Sequence, residues 1–178
     1  RSKSRIIFSQ IRYENNDLNL CAIQESNGIS KEALEYFLKG TDKKLKADVE
    51  YLVEVFKDAK EYGSILEVKP VDFDAIEKRL EEFKNETGDL YEYQYRNVIL
   101  EKIPALVKQA RIMSQKYDVV VTNPPYMGNK GINSKLKNYI SEKFRDVKSD
   151  LFAVFIVRNF SYAKQYGHLG YMTPFVWM

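Results

Sequence analysis

The amino-acid sequence predicts an α/β fold in which helices flank a largely parallel sheet. Short apolar runs, such as residues 18–23 and 117–122, alternate along the chain with longer segments. In those longer segments apolar residues recur every three or four positions, which is the period of an amphipathic helix. Strands that alternate with helices are typical of a parallel sheet covered by helices on its faces.

Two strands are predicted near the start of the chain, at residues 4–12 and 17–24. The second has a continuous apolar centre, Leu18–Ile23, which is typical of a strand buried on both faces. Cys21 lies inside this run and is predicted to be a core thiol.

A helical and charged stretch follows, and we interpret residues 30–62 as an insertion between sheet elements. Ser30 is predicted to cap a short helix that ends at Lys39. Thr41 is predicted to cap a longer helix of about five turns, and Gly63 to end it.

The middle of the chain is predicted to hold a short strand and two helices. Residues 64–68 form the strand, and Asp72 or Asp74 caps the first helix. Residues 91–116 have the pattern of a long helix that Pro104 should break or kink.

The last third begins with a strand at residues 117–122 and continues with two helices. The first has its apolar face within 136–147. The second is predicted to be capped by Ser149 and closed by Gly167, with a final strand at 170–174.

Composition limits the classes of function. The chain has one cysteine and one histidine, so we expect no metal site. No apolar stretch approaches the roughly 18 residues of a membrane span, and we expect a cytoplasmic protein with no membrane partner. The net charge of +3 is too small to establish a nucleic-acid partner. The chain begins at Arg1 and ends in an apolar run, so we interpret it as a piece of a longer protein.

Asn123-Pro124-Pro125-Tyr126 directly follows the apolar run at 117–122. A strand that ends in this way places a rigid rim at the edge of the sheet, because each proline restricts the residue before it. The rim carries the Asn123 side-chain oxygen and the Pro124 carbonyl as two acceptors, and the Tyr126 ring as a stacking face. The alternative interpretation is a proline turn that closes a hairpin.

Such a rim suits chemistry on a planar amine. An exocyclic amine on an aromatic base is a poor nucleophile, since its lone pair is delocalised into the ring. Two acceptors aimed at its hydrogens favour a pyramidal nitrogen and restore part of that lone pair. A base within a duplex reaches such a rim only when it is flipped out of the stack.

Several stretches of the sequence resemble motifs of known enzymes. The run 117–126 resembles the catalytic motif of amino-methyltransferases, which transfer a methyl group from S-adenosylmethionine to an exocyclic or amide nitrogen. Residues 149–156 and 167–177 are similar to the following stretch of adenine-N6 DNA methyltransferases from restriction-modification and phage-defence systems. Residues 127–133, together with 148–152, most closely resemble the large methyltransferases of the BREX and phage-growth-limitation systems.

The resemblance implies a Rossmann-like fold and a role for several residues. Asn123, Pro124 and Pro125 would form the amine site, and Tyr126 would stack on a flipped adenine. Four residues are implied for S-adenosylmethionine: Ser64 and Ile65 near its adenine, and Asp150 and Phe152 along its cleft. The family's glycine-rich cofactor loop is missing, since the chain contains no Gly-x-Gly. We therefore expect residues 1–178 to be a partial catalytic domain without a target-recognition region, inactive alone.

The leading hypothesis is a DNA adenine-N6 methyltransferase whose partners are double-stranded DNA and further defence subunits. Two alternatives stay open: the same rim acting on a protein glutamine or an RNA guanine, and a non-catalytic DNA-binding module. Basic residues after the rim predict either phosphate contacts or an ordinary solvated helix face: Lys130, Lys135, Lys137, Lys143, Arg145 and Lys148.

Overall fold

The computed structural model describes residues 19–86, 90–127 and 131–173. These residues form seven α-helices and two strands. In chain order they are α1 (Lys31–Phe37), α2 (Lys43–Val55), α3 (Ala59–Tyr62), α4 (Phe73–Asn85), α5 (Leu90–Ser114), β1 (Tyr117–Thr122), α6 (Ser134–Lys143), α7 (Leu151–Phe160) and β2 (Ala163–Tyr171). Single 3₁₀ turns lie at Gly63–Ile65 and Arg145–Val147. None of the helices in these ranges is long and apolar enough to cross a bilayer.

The larger core lies between α5 and the helices that precede it. The long helix α5 packs against α1, α2 and α4, and it continues through Pro104 without a break. The fully buried side chains of this core come from all four helices and from the turn after α2: Phe37, Val49, Leu52, Phe56, Ile76, Phe83, Ile99, Ile103 and Leu106.

The end of the chain forms a β-α-α-β unit. The strands β1 and β2 pair in parallel, so that Val119 lies opposite His168 and Thr122 opposite Tyr171. The connection carries α6 and α7, as parallel strands require a crossover. A second apolar cluster packs these helices against the first 3₁₀ turn: Ile65, Ile140, Phe144, Leu151 and Val154.

Two expectations about strands near the helical region are wrong. The strand predicted at 4–12 lies outside the described residues. Of the strand predicted at 17–24, residues 19–24 are described and do not form a strand, and Cys21 is exposed rather than buried. Residues 64–68 contain a 3₁₀ turn and extended backbone instead of a strand. A strand needs a neighbouring strand for its backbone groups, and neither segment pairs with one in the described part of the chain.

The observed helix ends agree more closely with those predicted from the sequence. Ser30 caps α1 and Asp72 caps α4. Asp42 caps α2 in place of Thr41, and Asp150, not Ser149, is the N-cap residue of α7. The predicted five-turn helix is interrupted at Asp58, whose φ of 53° is left-handed.

The second strand starts earlier than expected. It begins at Ala163, and Gly167 lies inside it rather than closing α7. The pairing with β1 contains an irregularity between Tyr117 and Val119. A Cβ atom on Gly167 would lie 3.0 Å from the Lys164 carbonyl oxygen and 3.1 Å from that of Asp118. The glycine therefore permits the close approach of the two strands at this irregularity.

Candidate active site at the end of β1

The tetrapeptide Asn123–Tyr126 directly follows the last residue of β1. Pro124 is buried, whereas Asn123 and Pro125 are exposed. The Asn123 side chain makes no hydrogen bond to any residue the structure describes. The carboxyl end of β1 thus presents a free amide beside a buried, rigid proline.

The Tyr126 ring is held over the end of β2. Its hydroxyl donates to the Met172 carbonyl oxygen at 2.9 Å, while 54% of the residue remains exposed. The Met172 N–H in turn donates to the Thr122 carbonyl oxygen at 3.2 Å, one residue beyond the last strand pair. The ends of both strands are therefore linked at the rim by two hydrogen bonds.

The structure brings Asp150 and Phe152 close to the rim. The Leu151 N–H donates to the Met127 carbonyl oxygen at 3.2 Å, which joins the start of α7 to the residue after Tyr126. Asp150 is exposed and its side chain does not cap the helix. Its carboxylate at the positive end of α7 is thus available to a ligand beside the rim.

Ser64 and Ile65 lie at the other end of α7. The Tyr162 hydroxyl donates to the Ser64 carbonyl oxygen at 2.9 Å. Ser64 is exposed, but the Ile65 side chain is fully buried in the second apolar cluster. A ligand near this turn would meet Ser64 and the backbone rather than the Ile65 side chain.

An open groove of about 370 Å³ runs along β1 from Ser64 to Thr122. Gln109, Asn159 and Tyr162 contribute polar groups to its lining, and β1 contributes valines. The Nδ2 atom of Asn159 is buried and has no hydrogen-bond partner among the described residues.

Two of the basic residues after the rim form ion pairs. Lys135 forms a 2.7 Å ion pair with Asp58, which lowers the pKa of Asp58 and raises that of Lys135. Lys143 pairs with Glu142, and this contact raises the pKa of Lys143. Lys137, Arg145 and Lys148 are exposed, whereas Lys130 lies outside the described residues.

Three residues in or near the site were not predicted from the sequence: Met172, Arg158 and Asn159. Met172 acts through its backbone, which has no side-chain signature. Arg158 and Asn159 are polar residues at the end of an otherwise apolar helix. That contrast was the one available signal, since polar residues at apolar positions need a specific partner.

Residues 9–178 match the Eco57I restriction-modification methylase family. The chain belongs to this family. The match covers nearly the whole sequence and confirms the resemblance to methyltransferases of restriction-modification systems.

Individual proteins resemble the chain over shorter stretches. The adenine-specific methyltransferase BrxX of Escherichia coli O9:H4 (strain HS) is 40% identical over 126 residues, which are 70% of this chain and 10% of the relative. The adenine-specific methyltransferase PglX of Lacticaseibacillus casei (strain Zhang) is 28% identical over 130 residues, 69% of this chain and 10% of the relative. The type II restriction enzyme and methyltransferase RM.Eco57I of Escherichia coli is 34% identical over 68 residues, 35% of this chain and 7% of the relative.

The chain spans about a tenth of the length of BrxX and PglX. Both names confirm the expected resemblance to the phage-defence methyltransferases.

Proposed function

We propose that the full-length protein transfers a methyl group from S-adenosylmethionine to the N6 amine of an adenine flipped out of duplex DNA. Membership of the Eco57I family and the adenine-specific relatives support this reaction and its place in restriction-modification or phage defence. The substrate is double-stranded DNA, so the protein would act in the cytoplasm, together with further defence subunits.

One observation carries the proposal: the exposed Asn123 amide stands beside buried Pro124 at the carboxyl end of a parallel strand. The Asn123 side-chain oxygen and the Pro124 carbonyl oxygen accept the two hydrogens of the amine. They hold the nitrogen lone pair toward the methyl donor, and positioning of this kind provides much of the rate. Tyr126 stacks on the flipped adenine with its exposed face.

The described residues fit only part of a site for S-adenosylmethionine, which supplies an electrophilic methyl group when bound. Ser64 and the Asp150 carboxylate are exposed at the two ends of α7, and Phe152 follows Asp150 on the same helix. The chain contains no Gly-x-Gly to approach a cofactor closely with its backbone. We propose that the glycine-rich loop belongs to another part of the full-length protein.

One exposed face of β1 supports an incomplete Rossmann-like core. Val119 is 58% exposed and Val121 75%, although parallel sheets are normally covered on both faces. We propose that further strands and helices of the full-length protein cover β1, that residues 30–62 are an insertion in this core, and that target recognition resides elsewhere.

Asn123→Ala in the full-length protein tests the function. We expect it to abolish incorporation of radiolabelled methyl groups into duplex DNA and to leave the melting temperature unchanged, because Asn123 is exposed. Asn138→Ala, at an exposed asparagine of α6, is the matched control and should retain activity.

The same assay separates the alternatives. Label that appears in protein or RNA but not in DNA would refute the adenine reaction. Duplex DNA binding without methyl transfer by the intact protein would instead support the non-catalytic module. The isolated 178-residue chain should show no transfer.

A further inference from the structure

We propose that the hydrogen bond from the Tyr126 hydroxyl to the Met172 carbonyl sets the orientation of the Tyr126 ring before DNA binds. This inference rests on the proposed function, because it concerns the ring that stacks on the flipped adenine. It assigns a positioning role to the backbone of Met172, which follows β2 directly.

The ring is anchored from both sides. On the backbone side, Pro124 is buried and the Met127 carbonyl accepts the Leu151 N–H at 3.2 Å. On the side-chain side, the hydroxyl reaches Met172 at 2.9 Å. Met172 is itself fixed, since its N–H donates to the Thr122 carbonyl. The tyrosine therefore bridges the loop after β1 and the end of β2.

The anchor matters because the ring is only half buried. With 54% of the residue exposed, packing restrains the side-chain torsions of the ring less than it would in a buried residue. A base that stacks on a rotating ring must first order it, and that ordering opposes binding. A ring already held by its hydroxyl avoids this cost and presents its face at a fixed angle.

Tyr126→Phe in the full-length protein isolates this effect, because phenylalanine keeps the stacking face and lacks the hydroxyl. We expect kcat/KM for DNA methylation to fall by about 3- to 10-fold, the equivalent of one ordinary net hydrogen bond. The affinity for S-adenosylmethionine should stay unchanged. Tyr166→Phe removes a hydroxyl from a 92% exposed tyrosine of β2 and is the matched control.

A second measurement reports the ring directly. Once the modified site is mapped by sequencing methylated DNA, 2-aminopurine can replace its target adenine. Stacking on an aromatic ring quenches this probe, so we expect brighter emission with Tyr126→Phe than with the wild type, and brightest emission with Tyr126→Ala.

The outcomes separate this inference from the proposed function. If Asn123→Ala and Tyr126→Ala abolish methylation while Tyr126→Phe matches the wild type in rate and emission, the anchor is refuted and the function stands. A faster Tyr126→Phe enzyme would also overturn the inference, since it would mean that the bond restrains the ring from its working position. Activity that persists in Asn123→Ala would refute the proposed function itself.

Discussion

Arg158 is the buried cation that joins α7 to the loop before α4. Its Nε and Nη2 atoms donate to the Leu66 carbonyl oxygen at 3.1 and 2.6 Å. Its guanidinium lies 4.0 Å from the centre of the Tyr162 ring, and the Tyr162 hydroxyl reaches Ser64. This pair therefore holds Ser64–Leu66 against the helix that leads away from the rim.

We expect Arg158→Met to lower the free energy of unfolding by about 2 kcal/mol. The variant keeps an unbranched side chain but leaves the buried Leu66 carbonyl without its donor, which costs about 1–3 kcal/mol, and it removes a cation–π contact worth about 0.5–2 kcal/mol. Arg158→Met also removes the cost of burying a charged guanidinium, which offsets part of this loss of stability. Urea denaturation measures the change.

Arg145→Met serves as the control for Arg158→Met, because Arg145 is an exposed arginine of the same unit. Its free energy of unfolding should lie close to that of the wild type. Equal stability of the two variants would contradict the role given to Arg158.

A side chain replaces a strand partner for residues 19–25. The Gln24 N–H donates to the Gln109 Oε1 atom at 2.8 Å, and the Gln109 Nε2 atom donates to the Gln24 carbonyl at 2.9 Å. Gln109 is fully buried on α5. Its amide thus satisfies both backbone groups of Gln24, as a neighbouring strand would.

Replacing Gln109 should release this segment from α5. We expect Gln109→Leu to cost about 1–2 kcal/mol of unfolding free energy, because both bonds are lost. Gln109→Glu retains the acceptor but loses the donor to the Gln24 carbonyl. Hydrogen exchange at the Gln24 amide should therefore be fastest in Gln109→Leu.

Gln94→Leu is the control for both Gln109 variants, since Gln94 is an exposed glutamine of the same helix. It should leave the exchange rate at Gln24 unchanged. Protection of that amide in Gln109→Leu would show that another group holds the segment.

Elements with local signals were predictable, and those that depend on distant partners were not. The caps Ser30 and Asp72 and the strand 117–122 follow from short-range patterns, and the structure confirms them. The apolar run ending at Ile23 has the local pattern of a strand but pairs with no described strand. The rim was identified from its sequence alone, whereas the Tyr126–Met172 bond spans 46 residues and has no sequence signal.

Two tyrosine hydroxyls join the helical region to the β-α-α-β unit. Tyr162 donates to the Ser64 carbonyl, and the Tyr139 hydroxyl accepts the Glu67 N–H. Burial raises the pKa of both tyrosines above the ordinary value, and for Tyr162 the nearby Arg158 opposes the shift. The segment between α3 and α4 is therefore held by groups that ionise only in alkali.

These shifts predict a loss of stability at alkaline pH. A pKa that folding raises means that the folded state holds the proton more tightly than the unfolded state. The stabilisation is complete below the unfolded pKa of about 10 and is lost as pH rises through the folded value.

We expect urea denaturation between pH 8 and pH 11 to show a steeper decline in the free energy of unfolding for the wild type than for Tyr162→Phe. Tyr166→Phe, at an exposed position, should follow the wild-type curve. Lysine titration is common to all three proteins and cancels in the difference. Parallel curves for the wild type and Tyr162→Phe would mean that the junction between the two regions does not depend on the Tyr162 proton.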